Sequence, residues 1–163
     1  MLEVAPPARS AAEKALAVDP ANREARGILA ALAAIVDYDW RAAEAHLRQA
    51  MAGELVPPVV RARYTLWYLL PLGRVAEALE QSRLALETDP LSMILHFGMS
   101  MCLFGAKQYR ETIEYVRKAL EIDANYWPIW VAIGWAQLHA GFAEAAITSF
   151  QRTVKLAPLV LRD

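Results

Sequence analysis

Three similar segments recur along the chain: LALETDP at residues 84–90, KALEIDA at residues 118–124 and TVKLAP at residues 153–158. Their last residues, Pro90, Ala124 and Pro158, follow one another at a constant interval of 34 positions. Two further columns keep this spacing, one formed by Ala85, Ala119 and Thr153 and the other by Ala78, Thr112 and Ala146. Three columns that agree on one period of this length indicate a protein built from repeated supersecondary units.

Each unit has the apolar pattern of two helices. Apolar residues recur at steps of three residues, as at Tyr64, Trp67 and Leu70, which is a helical period and not that of a strand. A short breaker divides each unit, and each unit ends at a proline or at the equivalent Ala124, where a helix is expected to stop. The successive breakers are Gly73-Arg74, Lys107-Gln108 and Gly141-Phe142. We therefore predict an all-α chain of about nine helices, near residues 8–18, 23–37, 40–52, 59–71, 74–87, 92–105, 109–122, 126–140 and 143–157.

The period slips slightly in the N-terminal half. Pro90 follows Pro20 by two positions more than twice the period, and we expect the surplus in the loops near residues 21–23 and 53–58. We predict a single domain over residues 1–163. It would consist of a partial repeat at 1–22 and of repeats at approximately 24–57, 59–92, 93–126 and 127–160.

Small residues should mark the points where helix axes approach closely, because a long side chain has no room there. These residues are Ala43, Ala78, Ala85, Ala119, Gly134 and Ala146. Large residues should fill the spaces between helices, and these are Trp40, Tyr109, Trp130 and Phe150. We interpret all ten as structural.

Composition excludes several classes of function. Seventeen lysines and arginines against eighteen acidic residues give a net charge of −1, so no general attraction to nucleic acid or to an anionic membrane is expected. The longest apolar run, Gly27 to Val36, is too short to span a bilayer. The N-terminus does not show the pattern of a cleaved signal peptide. We expect a cytoplasmic protein.

The residues that could perform chemistry are few. His46, His96 and His139 fall in three different repeats, without the paired spacing of a zinc site. The single cysteine, Cys102, lies among apolar residues of a predicted helix, as a buried and unreactive thiol does. Isolated glycines do not form a phosphate-binding loop. We expect no enzyme activity, no cofactor and no metal.

The pattern resembles the tetratricopeptide repeat, a unit of about 34 residues with fixed small and large positions. The last unit shows the resemblance best, through Trp130, Ile133, Gly134, Gly141, Ala146, Phe150 and Pro158. The preceding unit is a degenerate copy that keeps Tyr109, Ala119 and the spacing. The resemblance implies a right-handed α-solenoid of antiparallel helix hairpins, whose concave surface is lined by the first helix of each hairpin and binds a protein or peptide.

The concave positions can be assigned by register. They are Ile28, Leu32, Arg63, Trp67, Leu70, Phe97, Met101, Phe104, Val131, Trp135, Leu138 and His139. Most of them are aromatic or aliphatic where a surface open to water would be polar, which favours a groove that a partner covers. An apolar peptide could seat large side chains there, with Arg63 and His139 as polar contacts. Close packing between neighbouring helices could also bury the same residues.

Other interpretations remain open at this point. The groove does not resemble the branch of the family that clamps the C-terminal carboxylate of chaperones, because a single arginine, Arg63, does not make a clamp and the other corresponding residues cannot donate hydrogen bonds to a carboxylate. Those residues are Ile28, Leu32, Trp67, Phe97, Met101 and Val131. The chain could instead form a homodimer through its terminal helices or through Trp67 and Trp135. An apolar small-molecule or lipid pocket is a third class. The motifs at Asp39-Trp40, Gly73-Arg74 and 86–92 resemble the repeat region of bacterial multidomain signalling proteins, which implies a regulatory role.

Overall fold

The chain folds into helix hairpins. A computed structural model describes residues 5–157, and within that range it contains nine helices and no strand. The helices are α1 (Ala5–Val18), α2 (Arg23–Ile35), α3 (Trp40–Ala50), α4 (Pro58–Tyr64, continued by a π-helix over Thr65–Leu69), α5 (Val75–Thr88), α6 (Met93–Gly105), α7 (Tyr109–Ala119), α8 (Trp127–His139) and α9 (Ala143–Leu156). The predicted all-α class is confirmed.

One turn geometry closes every hairpin. The residue two positions before each second helix has a positive φ, and these residues are Tyr38 (56°), Gly73 (71°), Lys107 (62°) and Gly141 (86°). The next residue donates its backbone N–H back to the end of the first helix, as from Phe142 to the carbonyl oxygen of Gln137 at 2.8 Å. A left-handed residue followed by such a bond terminates a helix without leaving its last carbonyls unpaired. The predicted breakers are therefore real turns.

The surplus residues do not lie where we expected them. The second helices α3, α5 and α7 each begin 17 positions before the N-cap of the next hairpin, so this part of the repeat is constant, but the first halves of the hairpins differ. From the N-cap to the second helix there are 18 positions in the hairpins that begin at Asn22 and Pro57, and 17 in those that begin at Ser92 and Tyr126. Our prediction that the surplus residues lie in the loops at 21–23 and 53–58 is therefore wrong. In the second hairpin the additional residue coincides with the π-helix, a turn that holds one residue more than an α-turn.

Helix α1 also begins earlier than predicted, at Ala5 instead of residue 8. Pro6 and Pro7 therefore lie in its first turn. Proline is tolerated there because the first N–H groups of a helix have no intrahelical acceptor to lose. The other helix ends differ from the predicted ones by up to three residues.

The chain divides into two compact units, Met1–Thr88 and Asp89–Asp163. In the first unit, α2 packs against α1, α3 and α4, and α4 packs against α5. In the second unit, α8 packs against α6, α7 and α9, and one core cluster joins residues of α7 and α8. The division falls between α5 and α6, and the assignment of residues 1–163 to a single domain stays a prediction.

The small residues occupy the expected close approaches. The five alanines predicted there are at most 2% exposed, and Gly134 is buried as well. Of the large residues, Tyr109, Trp130 and Phe150 are half-buried, and Trp130 packs against the core of the second unit. Trp40 differs, because 36% of its surface remains exposed beside the ring of Tyr68. No described helix is long and apolar enough to cross a membrane.

Candidate partner-binding face

In the second unit, α6 and α8 are adjacent first helices, and both lack charge. Neither contains an aspartate, glutamate, lysine or arginine, although the neighbouring second helix α7 contains five such residues. Each first helix buries one side in the core, through Leu95, Cys102 and Leu103 in α6 and through Ile129 and Ile133 in α8. The opposite side of each helix is thus apolar without being fully covered within the unit.

The predicted groove residues of this unit lie on that opposite side in repeat-equivalent pairs. The pairs are Phe97 with Val131, Met101 with Trp135, and Phe104 with Leu138, and the members of each pair stand one repeat period apart. Trp135 and Leu138 are 44% and 45% exposed, and the other four residues are half-buried. We call these six residues the α6–α8 face. It combines large apolar side chains with open surface, which is the composition of a partner-binding site.

Aromatic contacts hold one end of the α6–α8 face in place. His139 packs its ring against Phe104 and Tyr109, with centroids 5.2 and 5.1 Å apart, and it lies 6.4 Å from the ring of Trp135. The rings of Trp135 and Phe150 also pack in a T-shaped arrangement, with centroids 5.5 Å apart. These ring contacts restrict the orientations open to Trp135, which lowers the side-chain entropy that covering it would cost.

Sequence reasoning missed one residue of this region. Ile94 is 43% exposed and lies three positions before Phe97, one turn away on the same side of α6. The helical period could have identified it, since residues three apart share a helix face.

In the first unit, the predicted groove residues are more deeply placed. Trp67 is 37% exposed and Leu70 is half-buried, but Leu32 is only 8% exposed and offers little surface to a partner. Ile28 is half-buried against the cluster that joins α1 and α2. For Leu32, the alternative of burial by neighbouring helices therefore describes the structure better. The assignment of all twelve residues to one groove stays a prediction.

Arg63 is the cation of the predicted groove. Its side chain lies against Gly27, whose missing Cβ would be 3.5 Å from Cδ of the arginine. Within residues 5–157 its Nη1 atom is buried without a hydrogen-bond partner, and burial lowers the pKa of its guanidinium against a smaller opposing effect of Glu24. Arg63 therefore packs against α2 and is not simply a polar contact for a partner in the groove.

The π-helix begins at Thr65, two residues after Arg63. Leu70 donates its backbone N–H to the carbonyl oxygen of Thr65 at 3.0 Å, five residues back. The Thr65 side chain is fully buried, and its hydroxyl has no partner among the described residues. Helices of this kind are rare and are often found at functional sites. The pattern of apolar residues did not reveal it.

The three histidines do not form a shared site. His96 lies between the hydroxyl of Tyr115, at 2.7 Å from Nδ1, and the carbonyl oxygen of Pro90, at 2.8 Å from Nε2. Burial lowers the pKa of His46, and nearby Arg26 lowers it further. No three histidine, cysteine or acidic side chains of residues 5–157 are placed to hold one metal ion. Cys102 is fully buried, as predicted.

The fold and this geometry define a class, that of α-helical repeat proteins. No protein-family model matches the chain, and no curated protein matches it in sequence. Solved structures do match. YrrB, a TPR protein with an unusual peptide-binding site, is 16% identical with a TM-score of 0.63, over 99% of this chain and 82% of its own. PilW, a type IV pilus biogenesis factor, is 21% identical with a TM-score of 0.74, over 91% of this chain and 70% of its own.

A third match is to a longer protein. The human IFIT1 dimer with m7Gppp-AAAA is 21% identical with a TM-score of 0.77, and the match covers 91% of this chain. The present chain spans 36% of the length of the IFIT1 chain. Taken together, these matches confirm the particular fold that the sequence predicts, a tetratricopeptide-like arrangement of helix hairpins.

Proposed function

We propose that the chain binds a segment of another protein through the α6–α8 face. The observation that carries this proposal is the lack of charge on two neighbouring first helices whose outer side includes Trp135 and Leu138, both more than two-fifths exposed. A surface that faces only water gains nothing from such residues, whereas covering them with an apolar partner is favourable by about 25 cal/mol per Å². The unusual peptide-binding site of YrrB, on a similar fold, agrees with this role.

The chemistry of the face defines the partner segment. With no cation or carboxylate on α6 or α8, the face cannot select a charged motif or a phosphate backbone. It can select large apolar side chains, which fit between the aromatic rings and beside the adaptable thioether of Met101. We therefore expect an amphipathic helix or an extended segment with two or three large apolar residues on one side.

A selection from a displayed peptide library on the intact chain tests this proposal. Affinities of selected peptides are then measured for three variants: Trp135→Ala, Leu138→Ala and, as a control, Ile147→Ala. Ile147 is 58% exposed on α9, outside the face, and so matches the other two in apolar character and exposure. We expect affinity to fall at least about tenfold in the first two variants, as for residues central to an interface, and to stay unchanged in the control. Equal affinities in all three would contradict the proposal.

We extend the proposal to the setting of the chain. The resemblance to the repeat region of bacterial signalling proteins suggests that it serves as a regulatory module in the cytoplasm, without catalysis of its own. Expression of the chain beside its genomic neighbours, followed by capture with the wild type and with the Trp135→Ala variant, would test this setting. Capture that is insensitive to the substitution would argue against it.

Self-association is the second candidate, because α9 has an uncovered apolar side. Ile147 and Val154 are 58% and 60% exposed, whereas Ile113, at the equivalent position of α7, is 5% exposed because α8 covers it. Sedimentation at several concentrations distinguishes the candidates. If α9 mediates a dimer, the wild type associates with rising concentration and an Ile147→Glu variant stays monomeric, while peptide affinity at the α6–α8 face is retained.

A further inference from the structure

A hollow of about 350 Å³ lies on the side of the second unit formed by its second helices. It is bounded by α7, by the end of α8 and by the beginning of α9. Its lining includes Arg110, Ile113, Glu114, Arg117, Gln137 and Phe142. None of these residues belongs to the α6–α8 face. The volume falls in the lower part of the range for small-molecule sites in proteins.

Gln137, in the wall of this hollow, is polar at a position of the repeat that is apolar in the earlier units. The residues one and two periods earlier are Leu103 and Leu69, and both are buried. Gln137 is buried as well, at 7% exposed, and its Oε1 accepts a hydrogen bond from the hydroxyl of Ser149 at 2.7 Å. This bond satisfies the amide oxygen, but the amide nitrogen donates no hydrogen bond among the described residues, and a polar group without a partner costs free energy that leucine does not. With Oε1 engaged, the amide nitrogen is the group that Gln137 can offer to the hollow.

Charges of alternating sign line the α7 side of the hollow. Arg110, Glu114 and Arg117 are spaced by four and three residues and thus share one face of the helix. Such spacing permits ion pairs, yet among the described residues no ion pair forms at any of the three. The guanidinium of Arg110 lies instead over the ring of Phe142, 5.7 Å from its centroid. All three charges can therefore meet a ligand.

We propose that this hollow binds a small zwitterion with an apolar side chain, such as a free apolar amino acid. Its carboxylate would pair with Arg117 and accept a hydrogen bond from the amide of Gln137, while its ammonium group would pair with Glu114. Its side chain would lie against Ile113 and Phe142. A simple anion would place its charge beside Glu114 without compensation, and a simple cation would face two arginines. A ligand that carries both charges satisfies the whole set.

The experiment titrates the intact chain with L-leucine and with two analogues that each lack one charged group, 4-methylpentanoate and 3-methylbutylamine. Binding is followed by calorimetry up to millimolar concentrations. We expect saturable binding of L-leucine and at least about tenfold weaker binding of both analogues, since each loses one charge-assisted contact. Absence of saturable L-leucine binding, or equal binding of either analogue, would overturn the proposal.

Variants locate the site. The double variant Gln137→Leu with Ser149→Ala restores the leucine of the two earlier repeats and removes the hydroxyl left without its acceptor, so the fold should persist in far-UV circular dichroism. We expect it to bind L-leucine at least about tenfold more weakly. Arg117→Gln should do the same, whereas Lys118→Gln, an equal change of charge at a neighbouring residue outside the hollow, should not. Unchanged binding in the double variant or in Arg117→Gln would place the ligand elsewhere.

Discussion

Replacing Gly134 by alanine tests the close approach between α8 and α9. A Cβ atom built on Gly134 would lie 2.6 Å from Cε1 of Phe150, 2.8 Å from its Cδ1 and 2.9 Å from its Cζ. Favourable contacts between carbon atoms require about 3.5 to 4.0 Å, so the ring would have to move by about 0.9 Å or more. The ring cannot do so independently, because it packs against Trp135 in a T-shaped arrangement, with centroids 5.5 Å apart.

The expected free-energy change is a difference of two effects. Alanine is favoured over glycine inside a helix by about 1 kcal/mol, which would stabilise the variant. Overpacking of a filled interior costs about 1 to 3 kcal/mol, and three ring atoms in conflict place this site in the upper half of that range. We therefore expect Gly134→Ala to lower the free energy of unfolding by about 1 to 2 kcal/mol.

Urea unfolding followed by circular dichroism measures the change, and Gly27 provides the control. It is also a buried helical glycine, but a Cβ there would come no nearer to another side chain than 3.5 Å from Cδ of Arg63, an ordinary contact. Gly27→Ala should thus be neutral or stabilising by up to about 1 kcal/mol. Combining Gly134→Ala with Phe150→Leu should recover part of the loss, since the smaller side chain relieves the conflict. A Gly134→Ala variant as stable as the wild type would refute this reasoning.

Two other substitutions test buried polar groups by the same unfolding measurement. Thr65→Val removes a buried hydroxyl that lacks a partner among the described residues, and it should raise the free energy of unfolding by about 1 kcal/mol. Thr112→Val removes a hydroxyl that donates to the carbonyl oxygen of Gln108 at 2.9 Å, and it should bring no such gain; equal shifts in both variants would contradict this view. The pKa of His46 is lowered by burial and by two nearby arginines, so the unfolded chain takes up the proton first as pH falls below 6.5. Stability should therefore decline below that pH, and His46→Gln should make the decline shallower; an identical pH profile would count against the assignment.

The hairpins could be predicted from sequence because the same physical constraint recurs at fixed intervals. Ala78, Thr112 and Ala146 are all fully or almost fully buried, since each sits where two helix axes approach. A single small residue says little about the fold, but its recurrence at a constant period identifies the repeated helix hairpin. The turns were predictable for a similar reason, as Gly73 and Gly141 supply the positive φ that closes a hairpin.

The π-helix could not be predicted in this way. An additional residue within a helix shifts all later side chains around the axis, and the sequence shows only that the total spacing is longer. Placing that residue in a loop is the simpler interpretation, because loops accept insertions at small cost. The structure instead retains it at Thr65–Leu69, where the surrounding packing decides the register.

Exposure of the candidate site was only partly predictable, since it depends on which neighbours are present. Leu32 and Trp135 were both assigned to the concave surface by register, yet one is 8% and the other 44% exposed. Register determines the direction of a side chain, and packing of adjacent helices determines whether that direction is open. For Leu32, α2 has helices of the first unit on several sides, and these close it off.

In a repeat protein, the positions that depart from their own column are the most informative about function. Leu69 and Leu103 show that leucine suffices for packing at the position of Gln137, and the hydrogen bond from Ser149 accounts only for the amide oxygen. We therefore relate the amide nitrogen to the ligand proposed for the hollow. The lack of charge on α6 and α8 is a departure of the same kind, because α7 and α9 show that this chain places charges freely on exposed helix surfaces. Each departure lies at a surface for which we propose a ligand or partner, and occupation of that surface would offset the cost of exposed apolar side chains or of a polar group without a hydrogen bond.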